Sequence, residues 1–217
     1  VPSMVISIYG MPPLSLVIYT LAGGTLLAIS ANVMNQVLEV ETDKLMERTS
    51  DRPIVTGELT KTNGIIYSIS SGLIGFLILY SLVTPLSSFI GLAANIFYVF
   101  IYTLILKPRT NQNIVIGGAS GAAPVLIGWT ATGSELETGP WVLFLLVFMW
   151  TPAHFWALSI ENKADYKNAE FPMLPIQESY KRTCIFIGIY SCSTVLISLV
   201  AAPILQLGII YLFVSIF

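Results

Sequence analysis

Three polar residues close the first long apolar run of the sequence: Asn35, Glu39 and Asp43, spaced four residues apart. On a helix each such step turns only about 40°, so all three project from one stripe. Glu41 is turned about 200° from Glu39 and is expected to point elsewhere. An amide and two carboxylates are hard oxygen donors of the kind Mg2+ takes together with substrate phosphates. The stripe covers roughly 12 Å along the helix axis, too long for one ion with bonds of about 2.1 Å. Two ions fit better, as does one ion with a kink or bridging waters. The plainer alternative is a solvated helix end, with Glu39 and Asp43 paired to Lys44 and Arg48.

A second acidic pair, Glu161 and Asp165, repeats the four-residue spacing in "ENKADYKNAEFPMLP". Arg48, Arg52, Lys107, Arg109 and Lys163 complete a mixed-sign set. Acids hold Mg2+, while guanidinium groups and Mg2+ together hold a diphosphate. Pro53 disfavours helical geometry at Arg52, which frees that arginine to reach back over the acidic stripe.

The elements that must position these residues are membrane helices. The chain is 55% hydrophobic and only 10% charged, with a mean hydropathy of +0.79, against about a quarter charged in soluble domains. A net charge of −2 excludes electrostatic binding of nucleic acid. Apolar runs long enough to span a bilayer fall at about 14–35, 63–82, 86–106, 113–132, 140–160 and 183–202. Another begins near Leu205 and is cut off by the chain end, and 1–8 reads as the tail of an earlier helix, so the chain is expected to be a piece lacking at least one helix at the front and the tail at the back. No period-two alternation supports a transmembrane barrel. "GGASGAAP" suits close helix packing in lipid, and Cys184 and Cys192 read as packing residues. All ten Lys and Arg lie in 44–61, 107–109 and 163–182, whereas Glu135 and Glu137 occupy an intervening loop. By the positive-inside rule the basic loops face the cytoplasm, or the matrix in a mitochondrion. The polar chemistry is therefore gathered on one face.

The pattern N-x-x-x-E-x-x-x-D-x-x-M-x-R-T-x-x-R-P (Asn35 to Pro53) resembles the first aspartate-rich motif of the UbiA-type intramembrane prenyltransferases. With "GAAPVLIGWTATG", "TPAHFWALSI" and "DYKNAEFPMLP" following in order, the chain is similar to the protoheme IX farnesyltransferase, or heme O synthase, branch over nearly its whole length. It departs from the pattern at Glu39, where Asp is common, at Val125 after Pro124, and at Glu170, where Gly is frequent. The resemblance implies an all-α polytopic bundle of about nine helices, of which 1–217 is a single domain. It implies Mg2+-dependent transfer of a farnesyl group from farnesyl diphosphate to a vinyl group of heme B, giving heme O.

By the resemblance, Asn35, Glu39, Asp43, Arg48 and Arg52 are catalytic, and Asn35, Glu39, Asp43, Glu161 and Asp165 hold the metal. Substrate binding falls to Lys107, Arg109, His154, Glu161, Asp165 and Tyr166. His154, the sole histidine, is expected to touch heme, with iron ligation one form of that contact; from the residue alone, a hydrogen-bonded brace between helices is as good. Trp129, Trp150, Phe155 and Trp156 are candidate cavity walls. The expected setting is a prokaryotic cell membrane or mitochondrial inner membrane, beside other heme A or cytochrome oxidase assembly proteins. An aromatic quinone or chlorophyll precursor is the alternative acceptor. A membrane transporter is the alternative class, and it requires acids near the bilayer midplane.

Overall fold

The computed structural model describes residues 1–216. Six of its helices are long and apolar enough to cross a membrane. They are α2 (Leu14–Leu38), α5 (Lys61–Leu82), α6 (Pro85–Ile96, prolonged by Phe97–Leu106), α7 (Asn113–Ala131), α8 (Thr138–Glu161) and α11 (Tyr180–Ile204). Short helices fill the chain before and between them: α1 (Pro2–Ile8), α3 (Val40–Asp43), α4 (Pro53–Thr56), α9 (Lys163–Asn168) and α10 (Leu174–Gln177). The chain closes with α12 (Ile209–Ile216). The spans match the apolar runs to within a few residues at each end. Among the described residues there is no strand.

The bundle is polar-in and apolar-out, as lipid demands. Ile66, Ile69 and Leu73 on α5 and Leu196 and Val200 on α11 are exposed. Cys184 and Cys192 also lie on the exposed side of α11 rather than in the packing. Small residues let the helix backbones approach. A Cβ on Gly75 of α5 would stand 2.7 Å from the Gly23 carbonyl oxygen of α2. Beside that seam the Ser68 hydroxyl donates to the Ser30 carbonyl at 2.8 Å. In the glycine-rich run, a Cβ on Gly117 would lie 2.3 Å from the Tyr102 ring. That glycine is the notch into which Tyr102 fits.

The continuation of α6 is not α-helical. From Phe97 to Leu106 the chain is π-helical, with the Lys107 N–H bonded to the Tyr102 carbonyl five residues back at 2.9 Å. Nine α-helical residues separate two side chains by about 180°. With roughly 4.4 residues in each i→i+5 turn, they return to within about 20° of one another. Tyr98 and Lys107, nine apart, thus share the face turned toward α2.

Candidate active site

The site is assembled where α2 ends. Helical bonding continues through Glu39, but the backbone there relaxes to φ −101°, ψ 13° before α3 resumes. This supplies the kink that the length of the stripe called for. Thr42 donates to the Glu39 carbonyl at 2.9 Å, and Thr49 donates to the Asp43 carbonyl at 2.9 Å. Those hydroxyls add a second bond to carbonyls that already accept the Asp43 and Met46 N–H groups.

Each of the two stripe carboxylates is buried and half satisfied. Glu39 Oε2 accepts from Lys107 Nζ at 2.5 Å, while Asp43 Oδ2 accepts from Arg52 Nη1 at 2.6 Å. Glu39 Oε1 and Asp43 Oδ1 are buried with no hydrogen-bond partner. Asp43 is 0% exposed and Glu39 is 7% exposed. Bare anionic oxygens in a protein interior are costly, and they are also the hard donors a divalent cation takes. The donor set therefore fits the Mg2+ that the resemblance implies. Asn35 stands one turn earlier, buried, its Nδ2 donating to Thr103 Oγ1 at 3.2 Å. The plainer pairing with Lys44 and Arg48 is not adopted, because Lys44 pairs instead with Glu41 at 2.9 Å. Glu41 is 74% exposed, and the hydrogen bond from Lys44 holds its carboxyl below the usual value.

Arg52 is extended, as Pro53 requires, with φ −61° and ψ 139°. The second acidic motif meets the first through Asp165. Its two oxygens accept the backbone N–H groups of Glu47 (3.2 Å) and Arg48 (3.1 Å) in the short 3-10 turn Glu47–Thr49. Tyr166 is buried beside Arg48. Burial raises its hydroxyl above the ordinary value, and the guanidinium partly offsets that rise. Glu161 is exposed at the end of α8. Among the described residues no three of His, Cys, Asp and Glu gather around one point.

Arg109 and His154 lie apart from this centre. Arg109 is exposed and its guanidinium donates to the Leu104 carbonyl at 3.1 Å. His154 is exposed on α8, stacked on Trp150 with centroids 4.3 Å apart. Among the described residues it makes no hydrogen bond to a neighbouring helix, so the brace has no such bond to rest on.

Other residues at the site escaped the reading of the sequence. Phe171 puts its ring 4.6 Å from Lys107 Nζ, a cation–π contact. It is delivered by the turn after α9, where the Phe171 N–H bonds to the Tyr166 carbonyl and the Glu170 N–H to that of Lys167. Those bonds form a Schellman cap with Glu170 at the left-handed position, φ 56°. The frequent Gly of the resembled pattern at that position was the available signal. Tyr98, Tyr102 and Thr103 owe their place to the π-helical register, which leaves no mark in an apolar run.

Below the carboxylates the site opens into an apolar cavity of about 180 Å3 between α2, α6 and α7. Leu27, Ala31, Gly91, Ala94, Tyr98 and Ile127 line it. Asn32, one turn before Asn35, and Tyr98, one turn before Thr103, carry it toward the charged end. The arrangement is a charged cluster joined to a largely apolar cavity toward one end of the bundle. The acids are not at mid-helix, where a transport path would need them.

The sequence matches the UbiA prenyltransferase family along residues 1–217. It is 43% identical over 215 residues to a protoheme IX farnesyltransferase of Cutibacterium acnes, covering 99% of this chain and 64% of that protein. Against the protoheme IX farnesyltransferase of Paenarthrobacter aurescens it is 42% identical, covering 97% and 66%. The chain thus spans just under two thirds of the length of these relatives. Among solved structures it is similar to a UbiA homolog of Archaeoglobus fulgidus bound to GPP and Mg2+, with a TM-score of 0.80, 16% identity, and coverage of 99% of this chain and 79% of that one. The apo UbiA homolog of Aeropyrum pernix K1 gives a TM-score of 0.82 at 16% identity, covering 99% and 80%. Sequence and fold agree: the chain belongs to the UbiA prenyltransferase family.

Proposed function

We propose that the protein transfers a farnesyl group from farnesyl diphosphate to a vinyl group of heme B in a Mg2+-dependent reaction, with diphosphate leaving and water adding to the resulting cation to give heme O. The observation that carries the reading is the pair of half-satisfied buried carboxylates, Glu39 and Asp43, each holding a cationic side chain on one oxygen. Glu39 and Asp43, with Asn35, would hold Mg2+, which when bound neutralises diphosphate charge and eases cleavage of the allylic C–O bond. Glu161 and Asp165 are proposed as a second set of ligands. The amide bonds to Asp165 leave further lone pairs on each of its oxygens.

Lys107 and Arg52 serve two partners in turn. In the empty site they neutralise the carboxylates; with a diphosphate present they turn to its oxygens and stabilise the leaving group. Arg48, which holds no ion pair among the described residues, is a third cation for that group. The farnesyl tail occupies the cavity below, where the Leu27, Ala31 and Ile127 walls keep water from the allylic cation. The Tyr98 ring supplies an electron-rich face to that cation.

The choice of heme B as acceptor rests on the 42–43% identity to the named relatives. His154, with Trp150 against it, is proposed as the heme contact on the outer face of α8, and Arg109 as a surface cation for an anionic substrate group. We place the basic loops on the cytoplasmic side of a prokaryotic cell membrane, or the matrix side of a mitochondrial one. There the protein would work beside heme A or cytochrome oxidase assembly proteins. The test is a competition in which the protein in nanodiscs receives farnesyl diphosphate, Mg2+, heme B and an aromatic quinone precursor. Mass spectrometry should find heme O. Prenylation of the aromatic acceptor alone would contradict the assignment.

A further inference from the structure

We infer that Asn113 is a positioning residue for Lys107, fixing the ammonium group at the charged head of the site. Its use in diphosphate binding rests on the function proposed above.

Asn113 opens α7 and is 0% exposed. Its Nδ2 donates to the Lys107 carbonyl at 3.3 Å, and its Oδ1 is buried without a partner. A buried amide with one end unsatisfied is worse for stability than an apolar side chain of the same size. Its presence in the interior therefore points to the bond it does make.

That bond falls where the local backbone is weakest. Lys107 follows the π-helical stretch, and its carbonyl is among the last of a helix, with no partner further along the same helix. The turn that follows closes on itself. The Arg109 and Thr110 N–H groups bond to Leu106, and the Asn113 N–H bonds to Thr110. Among the described residues the Asn113 side chain adds the one cross-link from this turn to Lys107 itself. A lysine side chain is long and flexible, so holding its charge at one point requires a fixed backbone beneath it. Glu39 and the Phe171 ring fix the tip, and Asn113 fixes the root. Without the root bond the π-helical end can unwind toward α-helical register, which would carry Lys107 away from the face it shares with Tyr98.

The experiment is a double-mutant cycle on the protein in nanodiscs, with binding of inorganic diphosphate in the presence of Mg2+ measured by calorimetry. Asn113→Leu keeps the branched shape and the number of side-chain heavy atoms and removes both polar ends. It is expected to weaken diphosphate binding about tenfold while leaving the melting temperature equal or higher. In a Lys107→Met background the same substitution should change nothing further. Asn113→Ala, which removes the donor without adding bulk or charge, should weaken diphosphate binding as Asn113→Leu does, and it covers the case in which Leu misfolds. Equal losses with and without Lys107, or no loss at all, would overturn the inference while leaving the proposed function standing. A wild type that binds no diphosphate would overturn both.

Discussion

At the residue scale, the site turns on two ion pairs, each of which occupies one oxygen of a buried carboxylate and leaves the other without a partner. Lys107→Met would leave Glu39 buried and unpaired, a change that costs several kcal/mol in other proteins. Mg2+ should recover part of that loss by taking the place of the ammonium. The expected outcome is a variant with a lower melting temperature than wild type and a larger upward shift on adding Mg2+. An equal Mg2+ shift in both proteins would count against Glu39 as a ligand. His154 belongs to this scale too. Exposed and without a helix-bracing bond, it can be replaced by Ala with a stability change within about 0.5 kcal/mol. A loss of heme O formation at unchanged melting temperature would identify it as a heme contact, and unchanged product would remove it from the site. The i, i+4, i+8 stripe, the diversion of Glu41 and the reach of Arg52 over Asp43 were legible in the sequence because each follows from local geometry. The Glu39–Lys107 pair was not, since it joins residues 68 apart through a helical register that hydropathy cannot report.

At the scale of elements, two irregular stretches do the positioning. The Schellman cap after α9 puts a glutamate where glycine is at ease. An L-residue in the left-handed region pays a steric cost, so Glu170→Gly should stabilise the protein by about 1 kcal/mol. Chemical denaturation would read this as a higher midpoint with unchanged slope, and a destabilised variant would mean the Glu170 side chain makes a contribution of its own. The π-helical end of α6 is the second device, and Gly117 on α7 accommodates it. Gly117→Ala would drive a methyl into the Tyr102 ring, since the added carbon would stand 2.3 Å away. The expected cost is about 1–3 kcal/mol of overpacking, together with weaker diphosphate binding as Tyr102 and its neighbour Thr103 shift. Loss of stability with binding intact would separate the packing role of the notch from the site. The existence of α6 was plain in the sequence; its bonding pattern was not, because an apolar run looks the same in α- and π-helical form.

At the scale of the whole molecule, the bundle divides by sign. The basic segments, the carboxylate pair and the cap after α9 meet at one end, while Glu135 and Glu137 lie in the loop between α7 and α8 that the charge pattern assigns to the other side. Six spans and this asymmetry were readable from hydropathy and charge because lipid leaves so few alternatives. In sealed cells a cysteine at Ser134 should react with a membrane-impermeant maleimide from outside, and one at Asp51 only after lysis. The reverse pattern would invert the orientation proposed for the active site. The tail cavity between α2, α6 and α7 could not be located from sequence, since it depends on which apolar faces meet.

The central claim is that the free oxygens of Asp43 and Glu39 hold the cation that carries the diphosphate. Farnesyl transfer to heme B, followed by mass spectrometry across a Mg2+ titration, tests it most directly when wild type, Asp43→Asn and Glu41→Gln are run side by side. The predicted result is wild-type product from Glu41→Gln, whose carboxylate faces Lys44 and Lys61, and none from Asp43→Asn at any Mg2+ concentration, with both variants inserted in the membrane. Near-normal turnover of Asp43→Asn at saturating Mg2+, or an equal loss in Glu41→Gln, would contradict it.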